Sequence, residues 1–199
     1  MNKIMRFLRA GLVIFAGIVI LIMGARQGKS MSKDPIDLSD PDVDWSELEV
    51  GDHVKMKIEY TLGEFSNTTD DGKEVSRKYS YPRIENDMIV DVIGIHVNSA
   101  DFAKYDALYD ATVDWWTGTT NSVEADPIEI DGVIKKLDND EIGFHEEYLD
   151  GLFSSSELDD SKYELAVYPN MDNNILLVVI GAVITLAGLG YAAYVFIKK

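Results

Sequence analysis

The sequence predicts an α+β domain held between two membrane-spanning helices. Two uncharged apolar runs lie near the ends of the 199-residue chain. Between them, several stretches alternate apolar and polar residues, as half-buried strands do, and two others show helical spacing. The preferred architecture is a small barrel of the oligomer-binding type with two inserted helices. The alternative is an open antiparallel sheet covered by those helices.

A transmembrane helix or signal anchor is predicted at residues 7–25. Residues 10–25 carry no charge, and the whole segment spans most of a hydrocarbon core of about 30 Å. A basic start followed by an apolar run also describes a signal peptide. Met23 occupies a position where cleavage sites have a small residue, and Arg26 and Lys29 follow at once. These features favour an uncleaved anchor.

An acidic connector is predicted at residues 26–50. Pro35 and Pro41 disfavour regular structure there. Its end contains three apolar residues that we expect to return to the core: Trp45, Leu48 and Val50.

The extracytoplasmic α+β domain is predicted at residues 51–170, and its first strand at 53–62. In that strand the apolar residues alternate strictly with polar ones: Val54, Met56, Ile58, Tyr60 and Leu62. Asp71-Gly72 is a favourable pair for a hairpin turn. A second strand is expected at 74–81, before Pro82. A third, nearly continuous in apolar residues, is expected at 87–97.

A helix follows, with Ser99 as its cap and apolar side chains at helical spacing. Those side chains are Phe102, Tyr105, Tyr109, Thr112 or Val113, and Trp116. A strand at 126–137 comes next, with Gly132 as a bulge or a bend. Asp138 and Glu141 form a capping-box pattern for a second helix ending near Phe153. The last strand is expected at 162–168.

The second transmembrane helix is predicted at residues 175–197. This segment has 23 residues without a charge, enough to span the hydrocarbon core with some tilt. Small residues recur at intervals of seven in both apolar runs: Ala10, Gly17, Gly24, Gly181 and Gly188. Such faces allow close backbone approach, either in a helix hairpin or in a homo-oligomer. Ordinary glycine content of membrane helices explains them equally well.

Charge segregation predicts the topology. The chain carries 35 acidic and 18 basic residues, a formal net charge of −17, and every acid lies between Asp34 and Asp172. Basic residues flank the outer ends of both apolar runs, and positive charge stays in the cytoplasm. We therefore expect a two-pass cell-membrane protein with both termini cytoplasmic. The acidity also argues against nucleic-acid binding.

Calcium is the best metal candidate, because carboxylates are abundant and cysteine is absent. Four carboxylates are close in sequence: Asp37, Asp40, Asp42 and Asp44. Trp45 stands where an EF-hand loop needs Gly, so only a looser calcium site is expected. The zinc-protease, nucleophile-elbow and phosphate-loop motifs are incomplete, and we expect neither catalytic residues nor another cofactor.

The two-anchor layout resembles an uncharacterised family of small two-pass membrane proteins of Gram-positive (Firmicute-type) bacteria. The stretches that carry the resemblance are IEYTLGEF (58–65), YSYP (79–82) and IDGVIKKLD (130–138). The resemblance implies a place in the envelope and brings no known activity.

These observations favour a non-catalytic, membrane-anchored envelope protein with an acidic extracytoplasmic interaction domain. Its expected partners are the lipid bilayer and another membrane protein or a wall component. The alternative is an extracytoplasmic sensor of a ligand or cation that acts through a membrane partner, because the predicted cytoplasmic tails are too short for an output domain. A membrane-tethered hydrolase is the least favoured hypothesis.

Overall fold

The computed structural model describes residues 3–30, 34–86, 88–154, 158, 161–169 and 174–197. The chain divides into two units. One unit consists of Met1–Lys33 with Met171–Lys199, and the other of Asp34–Asn170.

The described part of the terminal unit contains two helices, α1 (Lys3–Ser30) and α4 (Asn174–Ile197). Both are long and apolar enough to cross a membrane. They pack against each other through glycines. A Cβ added to Gly181 would lie 2.7 Å from the backbone nitrogen of Leu21, and one added to Gly24 would lie 3.0 Å from that of Val178. Leu21 of α1 lies beside Gly181 of α4, and Gly24 of α1 lies beside Val178. Residue numbers therefore increase along α1 as they decrease along α4, so the two helices are antiparallel.

The described part of the central unit contains a sheet of seven strands and two helices, α2 (Phe102–Trp116) and α3 (Asn139–Leu149). The strands are β1 (Ile36–Asp37), β2 (His53–Ile58), β3 (Gly63–Asp70), β4 (Lys73–Glu85), β5 (Met88–Asn98), β6 (Ile128–Lys136) and β7 (Leu165–Pro169). Their order in the sheet is β1-β2-β6-β7-β5-β4-β3. The β1–β2 and β5–β7 pairs are parallel and the others are antiparallel.

The sheet is strongly curled. β2 and β3 are consecutive in sequence but lie five positions apart in the sheet. Five flat interstrand steps would separate them by about 24 Å. The chain from Ile58 to Gly63 reaches at most about 18 Å. The sheet must therefore bend until these two strands approach each other.

The concave face of this curl holds the main core. Val54 and Ile58 of β2 pack in one cluster with Tyr79 and Tyr81 of β4, and α2 contributes residues including Leu108. The inward face of α2 is Tyr105, Leu108 and Thr112.

The opposite face of the sheet carries α3. Its N-terminus has the predicted capping box, in which Asp138 accepts from the Glu141 backbone and Glu141 accepts from the Asp138 backbone. A smaller cluster containing Leu62, Val92, Leu149 and Leu158 packs on this side.

The mixed α+β class and the alternating pattern of β2 are confirmed. A barrel is not observed, because the described pairings end at β1 and β3 without joining them. The open sheet is mixed rather than antiparallel. The predicted turn is also confirmed, since Asp71 and Gly72 have φ of 47° and 75° and link β3 to β4.

Several boundaries were wrong. β4 continues through Pro82, which pairs with Val92. The strand tolerates proline there because β3 pairs with β4 only as far as Ser80, so the missing N–H faces no described strand. β3 was missed because its outer half is polar, and the strand predicted at 53–62 ends at Ile58.

Three further expectations at single residues were wrong, and one of the two alternatives for Gly132 was ruled out. Asp101, rather than Ser99, precedes α2. The register around Gly132 is regular, so the glycine forms no bulge. A Cβ at that position would lie 2.5 Å from the Tyr168 carbonyl oxygen. Trp45 and Leu48 are buried as expected, but Val50 is 62% exposed. α3 ends at Leu149 rather than near Phe153.

Candidate functional site

A row of five aromatic rings runs from the concave core to the surface. In order, the rings are Trp45, Tyr81, Tyr60, Trp115 and Trp116, and successive centroids lie 6.1, 5.7, 6.3 and 6.4 Å apart. Trp45 is 1% exposed, whereas Trp116 is 51% exposed. Of the adjacent tryptophans at the end of α2, Trp115 is half-buried beside Tyr60, whereas Trp116 is exposed.

A cleft of about 300 Å³ lies along the inner part of this row. Its walls come from the end of β2, the end of β4 and the segment 38–45. Three rings of the row line it, those of Trp45, Tyr60 and Tyr81. We call this hollow the aromatic cleft. It occupies the opening where the curled sheet brings the ends of β2 and β4 together without pairing them.

Tyr60 separates the aromatic cleft from a second hollow of about 430 Å³. Glu59 and Tyr60 line both hollows. Trp115 and polar side chains of the following loop, Asn121 and Ser122, complete the second one. Tyr60 is therefore the shared wall of two adjoining concave surfaces.

Most of the charged side chains in the aromatic cleft are paired within it. Lys57 pairs with Glu59. Arg83 pairs with Glu85 at 2.7 Å. Asp40 accepts a hydrogen bond from the backbone of Asp42 at 3.0 Å. Two ion pairs therefore occupy four of the five charged side chains, and the exposed Asp40 carboxylate has no ion pair within the described residues.

Arg83 also fixes the shape of the cleft. Its guanidinium donates to the carbonyl oxygens of Val43 at 2.6 Å and Pro41 at 3.0 Å. It lies 5.8 Å from the centroid of Trp45. β4 thereby holds the segment 38–45 in place, so the cleft is preformed.

One buried donor at this site has no partner. The indole Nε1 of Trp45 makes no hydrogen bond within the described residues. A buried N–H without an acceptor costs about 1–3 kcal/mol. Burial raises the pKa of the Tyr60 and Tyr81 hydroxyls, so both remain protonated at neutral pH.

The four calcium candidates make local contacts. Asp37 pairs with Lys55 at 3.2 Å, and Asp44 accepts from the backbone of Ser46 at 2.8 Å. Asp40 accepts from the backbone of Asp42. Within the described residues, no three His, Asp or Glu side chains are grouped as metal ligands. Calcium binding at Asp37, Asp40, Asp42 and Asp44 stays a prediction.

Ser80 and His145 form the hydrogen bond that a nucleophile and its base would make. His145 Nε2 lies 2.9 Å from Ser80 Oγ, and His145 Nδ1 lies 2.7 Å from the carbonyl oxygen of Tyr163. Both side chains are 0% exposed. Burial lowers the pKa of His145 to about 4, which makes it a weak base. The pair joins α3 to the sheet.

The other two histidines, His53 and His96, each contact a side chain of a neighbouring segment of the sheet. His53 is buried and bonds to Asp131 at 2.9 Å. His96 stacks on Tyr168 with centroids 4.5 Å apart. Burial lowers the pKa of His96. Nearby, Lys78 is 2% exposed and pairs with Glu141 of α3.

Sequence reasoning identified single rings of this site and missed the site itself. Tyr60 was expected in a strand, Trp45 in the core, and Trp116 in a helix. The missing information was the curl of the sheet, which brings these distant segments together.

Comparison with known proteins gives a family and no function. None of the curated proteins matches the chain. A family model described as a domain of unknown function, DUF8577, matches residues 2–198. Because this match covers nearly the whole sequence, the chain belongs to the DUF8577 family.

Proposed function

We propose that the chain is a non-catalytic, membrane-anchored envelope protein that captures a ligand or partner in the aromatic cleft. The observation that carries this proposal is the aromatic row, which runs beside a preformed cleft and ends at the exposed Trp116. Binding sites are typically concave and rich in aromatic side chains, with a few polar groups that set orientation. Tyr and Trp also dominate the energetics of protein interfaces.

The proposed topology is two-pass, with both termini in the cytoplasm of a Gram-positive bacterium and the central unit outside. Its support is the terminal position of the two apolar helices and the segregation of charge. The absence of cysteine makes a direct test simple. In intact cells, Asp71→Cys in the exposed β3–β4 turn should react with a membrane-impermeant maleimide, whereas Asn2→Cys should react only after lysis. The reverse pattern would refute this topology.

Binding is tested by photo-crosslinking the full-length chain in its own membrane. A photoreactive amino acid replaces Ser39 at the cleft, and in a matched control it replaces Lys73 at the β3–β4 hairpin. We expect a discrete adduct from position 39 that disappears when Tyr60→Ala is added, with none from position 73. Adducts from position 39 that form equally well when Tyr60→Ala is added would refute binding in the cleft.

Sensing through a membrane partner is the second candidate. It is favoured by the glycine contact between α1 and α4, a close helix pair that a signal can shift. A sensor changes the distance between spin labels on the two helices when its ligand binds. A constant distance at ligand saturation favours capture alone.

A further inference from the structure

We infer that the aromatic cleft binds a neutral, polyhydroxylated ligand of one or two sugar units. This inference rests on the proposed function and specifies the ligand class of the same site. Three features of the cleft carry it: mostly paired charges, flat aromatic walls and a buried donor without an acceptor.

The charge pattern argues for a neutral ligand. Glu59 is paired with Lys57, and Glu85 with Arg83, so an ion that binds there must compete with pairs that already exist. Hydroxyl groups face no such competition. Asp40 is exposed and is the one charged lining residue without an ion pair within the described residues. Carboxylate oxygens in an ion pair keep free lone pairs that accept from hydroxyls, and guanidinium and ammonium groups keep N–H donors.

The aromatic walls suit a ring-shaped ligand with apolar faces. Tyr60 and Tyr81 lie with centroids 5.7 Å apart and planes inclined by only 9°. Sugar rings present C–H groups on one face and hydroxyls around the edge, so they pack on an aromatic ring while the edge bonds to polar side chains. A volume of about 300 Å³ is at the lower end of ligand sites and accommodates one or two such rings.

The indole N–H of Trp45 supplies the orientation. It is buried and has no partner within the described residues. This N–H is closed to solvent, so a ligand reaches it only when the side chains that cover it shift; a sugar oxygen would then accept from it without bringing in a charge. An organic cation has no acceptor to offer, so it would leave this donor unpaired.

The test uses the full-length chain in detergent micelles with three probes: maltose, cellobiose and N,N′-diacetylchitobiose. Binding is followed by titration calorimetry and by the ¹⁵N signals of the three indole groups, assigned with Trp115→Phe and Trp116→Phe. We expect saturable binding of at least one probe and a shift of the Trp45 indole signal. Tyr60→Ala should weaken binding at least tenfold, while the matched control Phe144→Ala, at an exposed aromatic residue of α3 outside the cleft, stays within about threefold.

Three results would overturn the inference. The first is no saturable binding of any probe. The second is binding that leaves the Trp45 signal in place and is equal in Tyr60→Ala. The third is that tetramethylammonium or an arginine-containing peptide shifts the Trp45 indole signal and binds more tightly than any of the three saccharides. If the saccharides fail while adducts at position 39 still depend on Tyr60, the ligand class is wrong and the binding function stands. The indole signal keeps the test decisive if Tyr60→Ala does not fold.

Discussion

Acidification should destabilise the central unit through His145, because its imidazole is held neutral in the core. A carbonyl oxygen only accepts, so the 2.7 Å contact with Tyr163 requires a proton on Nδ1. Nε2 then accepts from the Ser80 hydroxyl, 2.9 Å away. The ring also stacks on Phe65 with centroids 3.9 Å apart. A second proton on this ring would place a charge in a fully buried site.

The magnitude follows from the pKa of His145. Burial lowers it from 6.5 to about 4 in the folded chain. Between these two values the unfolded chain binds the proton and the folded chain does not. The stabilisation is therefore complete above pH 6.5 and is lost as the pH falls towards 4. At 1.36 kcal/mol per pH unit, acidification from pH 7.5 to 4.5 costs about 2.5 kcal/mol.

The assay is chemical unfolding of the full-length chain in detergent micelles from pH 4.5 to 7.5, followed by tryptophan fluorescence. His145→Gln removes the titrating group, so the difference between wild type and variant isolates its pH dependence from that of the carboxylates. We expect the stability advantage of the wild type to shrink by about 2.5 kcal/mol over this range. His96→Gln is the matched control and should retain most of the dependence. Parallel curves for wild type and His145→Gln would refute the reasoning.

Three further predictions concern the buried ion pair, the helix contact and calcium. Glu141→Gln keeps the cap but leaves Lys78, 2% exposed, without its counter-charge, and should lower the free energy of unfolding by about 3 kcal/mol in denaturant titrations; a loss below about 1 kcal/mol would contradict this. Gly17→Leu would place a Cβ 2.7 Å from a backbone nitrogen of α4, so spin labels on the two helices should move apart in nanodiscs. Gly11→Leu, where a Cβ meets nothing within 4 Å, should leave that distance unchanged, and equal distances in both variants would contradict the contact. If Ca²⁺ binds the Asp37–Asp44 segment, millimolar Ca²⁺ should raise the melting temperature and Mg²⁺ should not; an unchanged melting temperature would refute it.

The sequence predicts those elements whose physical cause is local. The alternation in β2, the Asp71-Gly72 turn and the Asp138–Glu141 capping box each depend on residues within a few positions, and all three are confirmed. β3 escaped prediction because its outer half, SNTTD, carries no apolar alternation, and pairing with β4 holds it instead. The prediction that the strand ends before Pro82 failed for the same reason. The sheet accepts a proline at this position because β3 stops pairing with β4 at Ser80, and the local sequence does not show where a neighbouring strand ends.

The candidate site depends on contacts that no sequence window contains. Trp45, Tyr60 and Tyr81 belong to three segments, and each ring taken alone looks like an ordinary core residue. The adjacent pair Trp115 and Trp116 was a usable local signal, because two neighbouring rings cannot share one helix face. Their connection with Tyr60 appears only once the sheet curls.

The connection between β2 and β3 links the fold to the proposed function. Four residues, 59–62, join strands that lie five positions apart in the sheet. This connection is too short to span a flat sheet, so the sheet must bend around its core. The described strands nevertheless do not close into a barrel, which leaves an opening between the ends of β2 and β4. Tyr60 lies within this connection, so the same short segment that forces the curl also supplies the wall shared by both hollows. In this fold the cleft is a direct consequence of strand order and connection length, and the aromatic side chains determine what it can bind.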